Sequence, residues 1–312
     1  MSAQQAASRL AAAEQRLFAR YGIAPRTARV RLADPALEVR VVEVGEGPPV
    51  LLVHGSGTGA ASWAPLMPQL PGRRLLAVDL PGFGLSDPHD YGARPLRAHA
   101  VAQMRSILDA LDLRRVPIVG TSLGGWWALC LALAEPARVA AVASLGIPAL
   151  AFPGVRGDPF FTALTTPGLR RLGARMPPPG TRVMRAAGRR GALGPRAVAN
   201  TPDEWFQTAS ATMRMPAWRT AMVSHLGLAF RAGRARPGNH FTDAELRRIT
   251  APVLFIWGDK DVYGGPDIGR RACTLMPDAR LEVLPGGHAP FLDDPERCGT
   301  LIDDFLARTA PP

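Results

Sequence analysis

The residue types that could carry out nucleophilic chemistry stand at the ends of apolar runs. Ser122 lies in Gly120-Thr121-Ser122-Leu123-Gly124, a G-x-S-x-G pentapeptide followed by Gly125. A short apolar run, 116–119, precedes it, and a long Ala/Leu-rich run begins at Leu123. The pattern reads as strand, tight turn and helix. Such an elbow forces a strained backbone on the serine and leaves little room for flanking side chains. It holds the hydroxyl at a helix N-terminus, where the dipole and free N–H groups favour developing negative charge. A serine hydroxyl is a poor nucleophile unless a base takes its proton, and His288 is the candidate base. The histidine in turn needs a carboxylate to fix its tautomer and stabilise the imidazolium. Two acids, Asp259 and Asp261, precede it.

These residues need a scaffold. Residues 28–44 alternate apolar and polar positions around Asp34-Pro35, as in an antiparallel hairpin. Continuous apolar runs at 49–53, 74–78, 116–119, 139–145 and 252–257 read as strands buried on both faces, and 281–284 as a last strand. Residues 1–20, 96–111 and about 295–307 read as helices. Strands alternating with helices predict a mostly parallel sheet flanked by helices. Residues 148–248 break the pattern, with Pro177–Pro179, short helical stretches and no strand. They read as a helical cap inserted between sheet strands. The expected organisation is an N-terminal helical extension (1–27), a core (28–147 and 249–312) and the cap (148–248).

In an open parallel sheet, sites form at the carboxyl ends of the strands. His54-Gly55-Ser56-Gly57, Ser122, Asp259/Asp261 and His288 all fall there, in the chain order Ser…Asp…His. The chain resembles serine-nucleophile α/β-hydrolase-fold enzymes with a helical cap. The resemblance runs from about residue 38 to 308. It rests on His-Gly-Ser-Gly at 54, Asp-Leu-Pro-Gly-Phe-Gly-Leu-Ser-Asp at 79, Gly-Thr-Ser-Leu-Gly-Gly at 120, Trp-Gly-Asp-Lys-Asp at 257 and Gly-Gly-His-Ala-Pro-Phe at 286. It implies a Ser122–His288–Asp261 triad, because the family spacing Trp-Gly-x-x-Asp selects Asp261, and it leaves Asp259 as a turn carboxylate. It also implies an oxyanion hole from the backbone N–H groups of Ser56 and Leu123.

The remaining polar and aromatic residues have plainer expectations. His54 shapes the oxyanion loop through backbone hydrogen bonds, and Asp79 braces a loop. His89, His99, His225 and His240 are expected to be solvated. Trp126 and Trp127 belong to core or pocket wall. Trp205, Phe206 and Trp218 either line an apolar cavity or anchor cap helices to one another. Leu10, Leu17 and Phe18 of the N-terminal helix can pack on the body.

Net charge is +11, and the excess is local: residues 150–249 hold 16 arginines against five acids, while the remainder has 21 basic and 21 acidic residues. This is either a solvated arginine-rich surface or an attractor for an anionic substrate, membrane surface or acidic partner. No recognition motif supports nucleic acid. No apolar run approaches the ~20 residues of a membrane helix, and residues 1–20 lack the layout of a signal peptide. Cys130, Cys273 and Cys298 lack metal-ligand spacing and suggest a reduced, cytoplasmic setting. Neither metal nor cofactor is expected.

The expected activity is hydrolysis of an ester, thioester or lactone through an acyl-Ser122 intermediate, on a small acyl substrate. Alternatives on the same triad are hydrolysis of a carbon–carbon bond, acyl transfer or cyclisation, and a perhydrolase side activity. A non-catalytic ligand-binding protein is a further alternative. Carbon–carbon hydrolases commonly carry an aromatic residue after the histidine, where this chain has Ala289. A serine at the elbow also argues against dehalogenase and epoxide hydrolase chemistry, whose enzymes use aspartate there.

Overall fold

The computed structural model describes residues 2–157, 159–173 and 177–309. Helix α1 (Ala3–Arg20) opens the chain, capped by Ser2 and Gln5 in a reciprocal capping box. Eight strands then build one sheet: β1 (Arg26–Arg31), β2 (Glu38–Val44), β3 (Pro49–Val53), β4 (Arg74–Val78), β5 (Val116–Thr121), β6 (Val139–Leu145), β9 (Val253–Gly258) and β10 (Ala279–Leu284). Their spatial order is β1-β2-β4-β3-β5-β6-β9-β10. The β1–β2 and β2–β4 pairs are antiparallel, and all others are parallel.

The apolar runs become central strands because both sheet faces are covered. In β3, Leu51 and Val53 enter one core cluster while Val50 and Leu52 enter the other, as the two-residue period requires. Edge strand β1 is instead largely exposed and carries Arg26, Arg29 and Arg31, charges that discourage pairing with a second sheet. Helices α2 (Leu96–Ala110), α3 (Leu123–Ala134), α11 (Pro266–Leu275), α12 (Pro290–Asp293) and α13 (Pro295–Thr309) complete the core. The first ten residues of α3 are all buried, as its unbroken apolar sequence demands. Helix α11 escaped the sequence reading.

Between β6 and β9 lies the helical cap: α4 (Pro159–Thr165), α5 (Pro167–Gly173), α6 (Thr181–Arg190), α7 (Gly194–Asn200), α8 (Asp203–Thr212), α9 (Pro216–Ala229) and α10 (Asp243–Arg248). It also contains a two-stranded hairpin, β7 (Phe230–Arg231) and β8 (Arg234–Ala235), where no strand was expected. Two-residue strands are too short to register as alternation. The turn between them uses positive φ at Ala232 and Gly233, the geometry of a tight hairpin. Several cap arginines are tied down locally. Arg185 binds Asp203 and the Val198 carbonyl and lies over Phe206, and Arg196 reaches Asp294. Among the described residues, no helix is long and apolar enough to cross a membrane.

Two histidines expected in solvent are buried. His99 is on the inward face of α2 with Ala100, Gln103 and Met104, and His225 on that of α9 with Met222, Leu226 and Ala229. Helical spacing thus carries them inward together with their apolar neighbours. His225 stacks edge-on against Phe83 and Tyr91, and among the described residues neither of its nitrogens has a hydrogen-bond partner. His89, His99 and Tyr91 form a mutual edge-to-face set beside it. Burial pushes His225 down to about 3 and His89 to about 4, and lowers His99 as well. Arg94 lies close enough to depress His89 and His99 further, while Asp34 and Asp90 oppose it. Folded values below the ordinary ~6.5 mean that the stability from the neutral rings is complete above that pH. It is lost as pH falls from there toward 4 and 3. The melting temperature is therefore expected to drop between pH 7 and pH 5, and His225→Leu should make that drop shallower. An unchanged acid slope in the variant would contradict the assignment.

Candidate active site

The site begins with a steric constraint. β5 runs into α3 with no connecting loop, and Ser122 at the join has φ 53° and ψ −115°. That conformation is strained for a residue with a side chain. It is over-determined by neighbours: Ser122 N–H donates to the Leu145 carbonyl at 3.0 Å, and Trp126 N–H donates to the Ser122 carbonyl at 3.2 Å. A Cβ on Gly120 would lie 2.4 Å from the Gly124 backbone, and one on Gly124 would lie 2.0 Å from the Val53 carbonyl oxygen. Only hydrogen fits at either position. Leu123 is the first residue of α3, so its N–H has no partner within the helix.

His288 follows β10. Its Nδ1 lies 2.8 Å from Asp261 Oδ2, which assigns the proton to Nδ1 and leaves the Nε2 lone pair free. Asp261 follows β9 and is held by two backbone donors, Ile147 N–H on Oδ2 and Tyr263 N–H on Oδ1, each at 3.0 Å. The Tyr263 ring packs edge-on against His288, centroids 4.6 Å apart. The competing acid, Asp259, accepts from Gly286 N–H at 2.9 Å and does not reach the imidazole. Asp293 accepts from Gly287 N–H, next to His288, and burial pushes its carboxyl up to about 6.

The loop after β3 carries Ser56. His54 is fully buried: its Nε2 accepts from Leu80 N–H at 3.1 Å, and Nδ1 lies 2.7 Å from the Gly55 carbonyl. Burial lowers its pKa, so the ring is neutral and structural. The cap grips this loop, because Trp218 Nε1–H donates to the Gly57 carbonyl at 2.9 Å and Trp205 Nε1–H to the Ser62 carbonyl at 3.2 Å. Trp126 instead bonds the Asn239 carbonyl, and both Trp126 and Trp127 are core.

Ser56, Ser122 and His288 share one cavity of 270 Å³. The cap contributes Val155, Phe161, Leu164, Leu193, Trp205, Met222, Leu226 and Phe230 to its walls. Ala289 and Tyr263 complete the side near the histidine. Among the described residues, no arginine, lysine, aspartate or glutamate lines it. Asp261 sits behind His288, outside the cavity. Sequence reasoning did not find Ile147 or Asp293, and it read Trp218 as a cavity wall or cap anchor rather than as a donor to the Gly57 carbonyl; these contacts use backbone groups across long chain separations that leave no motif.

The fold agrees with the chain's similarities. The sequence profile of the alpha/beta hydrolase family matches residues 50–299. A 2-hydroxy-6-oxononadienedioate/2-hydroxy-6-oxononatrienedioate hydrolase from Cupriavidus pinatubonensis is 30% identical over 289 residues, covering 89% of this chain and 93% of the relative. Carboxylesterase CesB from Bacillus subtilis superposes with a TM-score of 0.73 at 22% identity, covering 97% of this chain and 99% of that one. A meta-cleavage product hydrolase from Pseudomonas fluorescens IP01 superposes with a TM-score of 0.71 at 22% identity, covering 91% and 98%. The chain belongs to the alpha/beta hydrolase family and is a hydrolase.

The elbow's packing makes a direct prediction. Gly124→Ala should destabilise the fold by about 3 kcal/mol through overpacking against rigid backbone, read as a lowered urea midpoint. A wild-type midpoint would show that β3 and α3 can separate without cost.

Proposed function

We propose that this chain hydrolyses a neutral ester, thioester or lactone through an acyl-Ser122 intermediate. The observation that carries the reading is a strained serine at the head of α3, opening into an apolar cavity shared with an Asp261-tethered imidazole. His288 Nε2 takes the Ser122 proton as Oγ attacks the carbonyl carbon. The tetrahedral oxyanion forms against the N–H groups of Leu123 and Ser56, whose worth is typically ~3 kcal/mol per donor. The imidazolium, stabilised by Asp261, then gives its proton to the leaving oxygen or sulfur. Water repeats the sequence on the acyl-enzyme and frees the acid.

Carbon–carbon bond hydrolysis on the same residues is the second reading, supported by the relative from Cupriavidus pinatubonensis. A dienedioate carries two carboxylates, and an unpaired carboxylate in an apolar wall is costly to desolvate. The cavity's apolar lining and Ala289 beside the histidine therefore favour a neutral acyl group. The unpaired cysteines support a reducing, cytoplasmic compartment.

Ser122→Ala should abolish labelling by a fluorophosphonate probe and reduce kcat by on the order of 10⁵-fold or more. Asp261→Asn should retain the fold but lose on the order of 10⁴-fold in kcat. Labelling that survives Ser122→Ala would sink the nucleophile assignment. For the substrate, kcat/KM on a neutral activated ester should exceed that on its carboxylate-bearing analogue and be insensitive to salt. A preference for the anion that weakens as ionic strength rises would instead favour attraction by the basic cap.

A further inference from the structure

The N-terminal helix carries a buried charge on the face that packs against the body. Glu14, on α1, is 3% exposed, Arg40 on β2 is 7% exposed, and Asp79 at the end of β4 is fully buried. The Arg40 guanidinium holds both carboxylates. Its Nη2 donates to Glu14 Oε1 at 2.8 Å, its Nη1 donates to Glu14 Oε2, and its Nε donates to Asp79 Oδ2 at 2.7 Å. Burial pushes the Glu14 carboxyl up, against the pull of Arg40. Burial would lower the Arg40 guanidinium, but Asp79 and Glu14 outweigh it and raise it.

Asp79 is in turn the anchor of two loops. Its Oδ1 accepts from Ala60 N–H at 2.6 Å, immediately after the 54–59 loop, and its Oδ2 accepts from Leu85 N–H at 2.9 Å. Its neighbour Leu80 supplies the N–H on His54 Nε2. The carboxylate is boxed in closely, since a Cβ on Gly59 would stand 2.8 Å from Oδ1. One continuous chain of hydrogen bonds thus joins Glu14, Arg40, Asp79 and Ala60 N–H, four residues from Ser56. Helix α1 also packs on cap helix α8 and on the 60–63 turn.

We propose that Glu14 is a positioning residue for the oxyanion loop, acting through Arg40 and Asp79. This rests on the reading of Ser56 N–H as an oxyanion donor. Without the Glu14 carboxylate, the two terminal nitrogens of Arg40 lose their partners in a buried site. The guanidinium must then re-pair, with Asp79 as the nearest acceptor. That draws Asp79 off Ala60 N–H and slackens the loop. Donors displaced by a fraction of an ångström lose transition-state stabilisation while substrate binding in the cavity is retained.

The test compares wild type, Glu14→Gln, Glu14→Asp and a control, Leu10→Ala, which removes a buried apolar contact from the same helix. Each is assayed on a neutral activated ester, with active sites titrated by fluorophosphonate and melting temperature recorded. Glu14→Gln keeps the shape and one acceptor, and Glu14→Asp keeps the charge on a shorter arm. Both are expected to lower kcat per titrated site by about tenfold, a fraction of the loss for a whole donor, with KM within twofold. Leu10→Ala should lose melting temperature but keep kcat. Wild-type kcat in both Glu14 variants, or a kcat loss in Leu10→Ala that tracks its melting temperature, would overturn the proposal. Absence of Ser122-dependent labelling in the wild type would instead remove the reading on which it rests.

Discussion

The close approach of α3 to the backbone of β3 governs the architecture. Gly124 can lie against the Val53 carbonyl only because it has no side chain, and Gly120 must meet Gly124 for the same reason. That contact folds the chain back so sharply that Ser122 has no unstrained conformation available. The strain persists because the surrounding backbone hydrogen bonds, to Leu145 and from Trp126, leave no alternative. The hydroxyl is thereby lifted clear of the sheet. The loop after β3 passes so close to the serine that a Cβ added to Gly55 would reach contact distance, 3.4 Å, from Ser122 Cβ.

Much of this was legible in the sequence because the constraint is local. A G-x-S-x-G between an apolar strand and an apolar helix has few structural solutions, and uninterrupted apolar runs announced the buried strands to within a residue or two. His288 and the pair Asp259/Asp261 were marked by their places just after strands, but the choice of Asp261 over Asp259 came only from the spacing that the family resemblance implies. What stayed hidden depends on partners distant in the chain. Trp218 meets Gly57 across 161 positions, and Ile147 meets Asp261 across 114. The burial of His99 and His225 was recoverable from helical spacing, but a polar residue type outweighed its position. Helix α11 is short and mostly exposed on its outer face, so its apolar signal is thin.

The arginine-rich cap joins a basic surface to an apolar interior. Arg185, Arg196, Arg214 and Arg236 bond carboxylates, hydroxyls or helix-end carbonyls within or beside the cap. Guanidinium groups suit this work because one planar fork can satisfy several acceptors at once. The cavity the cap encloses is meanwhile walled by aliphatic and aromatic side chains. A basic outer surface and an apolar interior thus coexist on helices only a few turns long.

The cap touches the core at the loops that bear the site. Trp218 holds the Gly57 carbonyl, and the Ala192 carbonyl accepts from His288 N–H at 2.8 Å. Displacing either cap segment would therefore be felt at a site-bearing loop, freeing the Gly57 carbonyl on one side and the His288 N–H on the other. The cap is thus part of the frame that holds these loops, and not only a wall around the cavity.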